Sequence, residues 1–127
     1  MGKIRKDHEL PESVAKWGWR YHHLGIPTKN IMPDEEYLPH LKMFVSGFTT
    51  SPFGIEWMRF EEGCPLSELI QNLPHVAFEV DDLDKALNEH HFEVISEPGI
   101  PSAGVRAAMI NHRGAPVELI EFSKNKS

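Results

Sequence analysis

The side chains in this sequence best suited to chemistry are histidines and glutamates that recur in two matching contexts. His23 opens the string HLGI (23–26) and His75 opens HVAF (75–78), in each case a histidine followed by three apolar or small residues. Further on, GIEWMRF (54–60) matches PVELIEF (116–122), so each half of the chain carries a His-then-Glu pair: His23 with Glu56, and His75 with Glu118. Two imidazoles and two carboxylates suit one divalent first-row transition ion (Zn, Ni, Co, Mn or Fe), because neutral nitrogen and anionic oxygen donors together favour these over Ca or Mg. Four protein ligands on an octahedral ion leave two positions open for waters or for both oxygens of a substrate. Such an ion polarises a carbonyl and stabilises enediolate-like charge. His22 competes with His23, and Glu61 or Glu62 with Glu56; the repeated context favours His23 and Glu56.

Strands and turns must bring these residues together. From Trp17 to Pro27 the alternation predicts a strand with Trp17, Trp19, Tyr21 and His23 on one face and Gly18, Arg20, His22 and Leu24 on the other. Thr28 to Pro39 reads as a loop with at most a turn or two of helix from Pro33. Leu41 to Phe48 and Ile55 to Phe60 read as strands, with Met58 and Phe60 on the face of Glu56, and Pro65 can open a short connecting helix. Leu73 to Val80 is a strand with His75, Ala77 and Glu79 on one face. Asp81 to His91 is the best helix in the chain, with an aspartate cap and Leu83, Ala86 and Leu87 at helical spacing. Phe92 to Ser96 then reads as a strand, EPGIPSAG as a loop, and Val105 to Ile110 and Pro116 to Phe122 as strands around an NHRGA turn. The second half is β-α-β-β-β. The His-to-Glu interval is about ten residues shorter in the first half, which leaves room for the strands and not for the helix.

These residues resemble the vicinal oxygen chelate superfamily, which includes lactoylglutathione lyase, methylmalonyl-CoA epimerase, fosfomycin-resistance enzymes and extradiol dioxygenases. The resemblance spans Trp19 to Phe122 and is strongest in LPHVAFEVDDLDKALNEH followed by PVELIEF. It implies an α+β fold of paired βαβββ modules forming a cupped mixed sheet, here with a shortened or missing helix in the first module. It also implies one divalent ion held by His23, Glu56, His75 and Glu118, and a homodimer. On this reading residues 1–16 are an N-terminal extension, 17–122 a single domain of two modules (about 17–62 and 73–122), and 123–127 a polar tail.

Composition narrows the partners. The chain has 127 residues, enough for one core; 40% are hydrophobic and 25% charged, which is globular rather than disordered. Thirteen Lys and Arg against 19 Asp and Glu give a net charge of −6, which disfavours broad capture of nucleic acid or anionic membrane and favours a small-molecule substrate. No apolar run approaches the roughly 20 residues of a membrane span, so a cytoplasmic protein is expected. Cys64 is the sole cysteine, which excludes an internal disulfide and a Cys-rich zinc module. Together these readings lean towards an enzyme: a metal-dependent lyase or isomerase/epimerase acting on a small carbonyl compound, with Glu56 or Glu118 moving the proton. The alternatives are a non-catalytic small-ligand (antibiotic-like) binding protein of the same fold, or an Fe(II)-dependent dioxygenase.

Overall fold

The computed structural model describes residues 7–123; the start of the N-terminal extension and the end of the polar tail lie outside them. After a one-turn helix α1 (Glu12–Ala15) come the strands β1 (Arg20–Pro27), β2 (Glu36–Leu38), β3 (Met43–Ser46) and β4 (Ile55–Phe60). A short helix α2 (Glu68–Asn72) leads to β5 (His75–Glu79), α3 (Leu83–His90), β6 (Glu93–Ser102), β7 (Val105–His112) and β8 (Ala115–Phe122). The eight strands of the described residues form one mixed sheet in the order β2-β3-β4-β1-β5-β8-β7-β6, curled into a cup. Each half thus contributes the same sequence of neighbours counted from its outer edge, and the two halves meet where β1 runs antiparallel to β5. This is the cupped α+β sheet expected from the sequence, with no helix between β1 and β2 where the second half has α3.

The core lies on the convex side, beneath α3. Leu83 is fully buried and Ala86 nearly so, against Ala108 and Leu119 of the sheet, Val80 just beyond β5, and Trp19. Alanines on both surfaces let helix and sheet approach closely, and burial of a leucine in such a layer stabilises by about 2 kcal/mol. The Asp82 carboxylate accepts a hydrogen bond from the Lys85 amide at 3.1 Å and caps α3. Glu121 of β8 accepts from the Leu83 amide at 2.9 Å and satisfies a second free donor of that first turn. Trp17 stacks on His90 at 3.9 Å, which fastens the segment before β1 to the end of α3.

Three expectations are corrected. The aromatic residues Trp17, Trp19 and Tyr21 do not share a face with His23: Tyr21 pairs with Phe78 and His23 with Ala77, so β1 advances two residues while β5 advances one. That bulge at His22 resets the alternation, sending Trp19 into the core under α3 and both His22 and His23 into the concave side. The stretch read as loop from Thr28 to Pro39 contains β2, which pairs with β3 in spite of the neighbouring prolines. The breaker-rich EPGIPSAG segment is not a free loop but continues β6, with three register shifts against β7 that absorb the prolines and glycine. Edge position explains β6, an outermost strand where the N–H that Pro98 and Pro101 lack breaks no second ladder; β2, also outermost, contains no proline and fits between Pro33 and Pro39.

Candidate metal centre

The matched strings HLGI and HVAF acquire a physical reason where β1 meets β5. His23 lies opposite Ala77 and His75 opposite Gly25, so the small residue of each strand faces the histidine of the other. The parallel neighbours extend each row, with Glu118 beside Ala77 and Glu56 beside Gly25. Two rows therefore cross the sheet centre, His23 with Ala77 and Glu118, and Glu56 with Gly25 and His75. Residues paired across strands project to the same side, so both rows point into the cup, and the small central residue leaves space for an imidazole to lean over it. The fit is tight at Gly25, where a Cβ would stand 2.2 Å from Cε1 and 2.6 Å from Nδ1 of His75.

Glu118 Oε1 lies 2.9 Å from Nε2 of His75 and 3.2 Å from Nε2 of His23, and the two Nε2 atoms are 3.3 Å apart. Ligands held at about 2.05 Å from one ion stand about 2.9 Å apart along an octahedral edge and about 3.3 Å along a tetrahedral one. The observed spacings fall in that interval. Both histidines are buried, and two imidazole nitrogens facing each other at such a distance can share only one proton. His23, His75 and Glu118 thus form a group fit for a divalent ion. Glu56 stands a step away, its Oε1 3.7 Å from Nε2 of His23, and does not belong to the tight trio. Of its sequence competitors, Glu61 accepts a hydrogen bond from the Tyr37 hydroxyl and Glu62 is exposed; neither lines the cup.

The electrostatics separate the two glutamates. Burial would raise the Glu118 carboxyl, but hydrogen bonds from His23 and His75 and their charges outweigh it and bring it down to about 2. Burial would likewise lower His23, and the hydrogen bond and charge of Glu118, followed by the charge of Glu56, hold it above the usual histidine value. Glu56 moves the other way: burial raises its carboxyl, with the charge of Glu118 adding to the shift against the opposing pull of His23 and His75. One carboxylate is therefore a fixed anion and the other a group that can hold a proton nearer neutrality.

His22, a competitor of His23 in the sequence, has a separate place. Its Nδ1 is 2.8 Å from Nδ1 of His23, and its ring stacks on Phe48 at 4.7 Å. A neutral His23 that turns Nε2 to the trio carries its proton on Nδ1 and donates it to His22. Burial lowers the His22 imidazole, followed by the charge of His23, which keeps it a neutral acceptor. Adjacent histidines in a regular strand point to opposite faces, so only the bulge permits this contact. Glu79 pairs with Arg20 at 3.3 Å and Glu121 caps α3, so both serve the scaffold. The trio sits in a cavity of about 500 Å³ whose wall is largely apolar, with Met43, Val45, Phe48, Met58 and Ile70 contributed by the first half and α2.

This cup, with paired strands contributed by each half, is a fold that the chain shares with solved structures. Among solved structures the chain is similar to a hypothetical protein from Bacillus halodurans (20% identity over 86% of this chain and 98% of that one, TM-score 0.67). It is also similar to methylmalonyl-CoA epimerase from Mycobacterium tuberculosis, with 20% identity, coverage of 94% of this chain and 96% of that one, and a TM-score of 0.59. A methylmalonyl-CoA epimerase in complex with methylmalonyl-CoA matches with 18% identity over 86% of this chain and 98% of that one, at a TM-score of 0.53. No protein-family model matches the sequence, and no curated protein does so significantly.

Proposed function

We propose that this chain is a metal-dependent lyase or isomerase of the epimerase and glyoxalase type, acting on a small carbonyl compound in the cup. The observation that carries the reading is the trio of donor atoms, Nε2 of buried His23, Nε2 of buried His75 and Oε1 of half-buried Glu118, separated by 2.9 to 3.3 Å in a largely apolar cavity. His23, His75 and Glu118 would hold the ion, with Glu56 close enough to join them or to face the substrate. A divalent ion in that position supplies Lewis acidity at the substrate's carbonyl oxygens. Glu56, with its carboxyl raised by burial, takes the proton α to the carbonyl and returns it to the neighbouring carbon or to the opposite face. Glu118, held ionised by two histidines, stays in place while the proton moves. The apolar wall excludes water, which strengthens each of these interactions.

The test is metal content by plasma mass spectrometry on untagged protein, beside His75→Ala, Glu118→Gln and Glu56→Gln. About one ion per chain is expected in the parent, lost in the first two variants and retained in the third, since a ligand cannot be removed without large loss of affinity. Glu56→Gln should then fail to exchange the α-proton of a bound carbonyl compound for deuterium. No ion in the parent after exposure to Zn, Ni, Co, Mn or Fe refutes the proposal. A second reading rests on the trio itself, since two histidines and one carboxylate are the ligand set of non-haem iron oxygenases. Oxygen uptake by the iron-loaded chain with a catechol would favour it over proton transfer.

A further inference from the structure

The charge lining the cavity is one-sided. Among the described residues its ionisable groups are four glutamates, Glu36, Glu56, Glu97 and Glu118, and four histidines; no lysine or arginine lines it. Glu36 and Glu97 are exposed at the rim, contributed by the two edge strands β2 and β6. The arginines of the sheet are committed elsewhere: Arg59 grips Glu35 with two hydrogen bonds of 2.7 and 2.8 Å and lies over the Phe44 ring, Arg20 pairs with Asp81 at 2.8 Å, and Arg106 with Asp84 at 3.2 Å. A divalent ion held by the trio would be offset by Glu118 together with an ionised Glu56, and the two exposed rim carboxylates would then set the sign of the charge at the mouth. Carboxylates, phosphates and the diphosphate of an acyl-CoA thioester would meet like charge at the entrance and find no lysine or arginine to pair with among the described lining residues.

We infer that this site selects an uncharged carbonyl compound with two vicinal oxygens and an apolar body, and rejects anionic substrates of the acyl-CoA kind. The inference rests on the chelate reading above and names its substrate class. The vicinal oxygens would meet the His-His-Glu trio, and the apolar body would lie against Met43, Val45, Phe48 and Met58. Specificity on this account comes from a repulsive element at the rim as well as from contact at the wall. A site of about 500 Å³ is of ordinary size for one small molecule.

The experiment uses the full chain loaded with nickel, its ion content measured on the same sample. Three probes are titrated by ligand-observed NMR: acetyl benzoyl, an uncharged phenyl-bearing vicinal diketone; its para-carboxylate derivative, which keeps the two oxygens and adds one charge on the ring; and methylmalonyl-CoA. The diketone is expected to bind at least about tenfold more tightly than the carboxylate, and methylmalonyl-CoA not to saturate. The double variant Glu36→Lys, Glu97→Lys is expected to narrow that ratio by favouring the carboxylate. Equal or tighter binding of either anion, or no binding of the diketone, overturns the inference, and an unchanged ratio in the double variant removes the rim glutamates from it. Ion content separates the two levels. A chain that takes up no nickel refutes the chelate reading whatever it binds, whereas an ion-loaded chain that prefers an anion refutes the substrate class alone.

Discussion

Gly25→Ala is the most informative single perturbation, because it changes one methyl group at a residue that is neither a donor nor a charge. The strand backbone at Gly25 is extended and pairs on both sides, with His75 on β5 and Glu56 on β4, so alanine meets no conformational objection there. The objection is steric. The new Cβ would lie 2.2 Å from Cε1, 2.6 Å from Nδ1 and 2.8 Å from Nε2 of His75. Restoring an ordinary contact of 3.4 Å requires the imidazole to withdraw by about 1.2 Å. Metal–nitrogen bonds tolerate only about 0.2 Å. His75 would then leave the 2.9 Å contact with Glu118, and the trio would be reduced to a pair.

The expected outcome is a loss of metal affinity of at least about a hundredfold, or about 2.7 kcal/mol. The fold should lose only about 1–3 kcal/mol, the usual penalty for one extra methyl group in a packed interior. Competition titration with a chelator of known affinity reads the first quantity and chemical denaturation of the metal-free chain the second. Gly99→Ala is the control, since a Cβ there meets nothing within 4 Å and stability should stay within about 0.5 kcal/mol. Metal affinity that is unchanged in Gly25→Ala would refute the argument that the small residue of each strand exists to seat the opposite histidine.

Replacing His22 by phenylalanine keeps a ring to stack on Phe48 but removes the acceptor for Nδ1 of His23, so metal affinity should fall about tenfold to a hundredfold while the melting temperature barely moves. Nitrogen chemical shifts of His23 should show a mixture of tautomers in that variant and a single one in the parent. For the metal-free chain, the carboxyl of Glu118 at about 2 stabilises the fold fully above its ordinary 4.5 and the contribution is lost as pH falls below it; the raised His23 stabilises below 6.5 and is lost as pH rises through its folded value. Between them these two groups favour the range from 4.5 to 6.5, within which the raised Glu56 takes stability away as pH rises above 4.5 and the lowered His22 as pH falls below 6.5. On the alkaline side the denaturant midpoint should decline as His23 loses its proton, and added zinc should reverse that decline because it needs both imidazoles deprotonated. Removal of the α3 cap by Asp82→Ala should cost about 1 kcal/mol in the same assay and leave metal binding unaltered.

Periodicity made the second half legible. Leu83 and Ala86 at helical spacing after an aspartate cap specify α3, and alternation specifies β5 and β8, because each element buries one face and the pattern of apolar residues follows the period of the backbone. The repeat HLGI and HVAF, with the later glutamates, pointed to the four residues that the sheet sets in two neighbouring rows, and the shorter first interval pointed to the absent helix. The edge strands were not legible. The prolines that flank β2 and the prolines and glycine within β6 read as breakers, since the sequence does not say which strands have only one neighbour.

The sequence by itself determined which residue types recur, that an aspartate caps α3 and that small residues accompany both histidines. Tertiary structure decided what no local pattern contains: the bulge at His22 that separates His23 from Trp19, the reciprocal seating of each imidazole over the small residue of the other strand, and the division of labour between a half-buried, doubly hydrogen-bonded Glu118 and a Glu56 whose carboxyl burial raises. The physical reason is the same in each case. Register between β1 and β5 joins residues about fifty positions apart, and one extra residue in one strand inverts the facing of everything before it, an effect that exists only once two strands are paired.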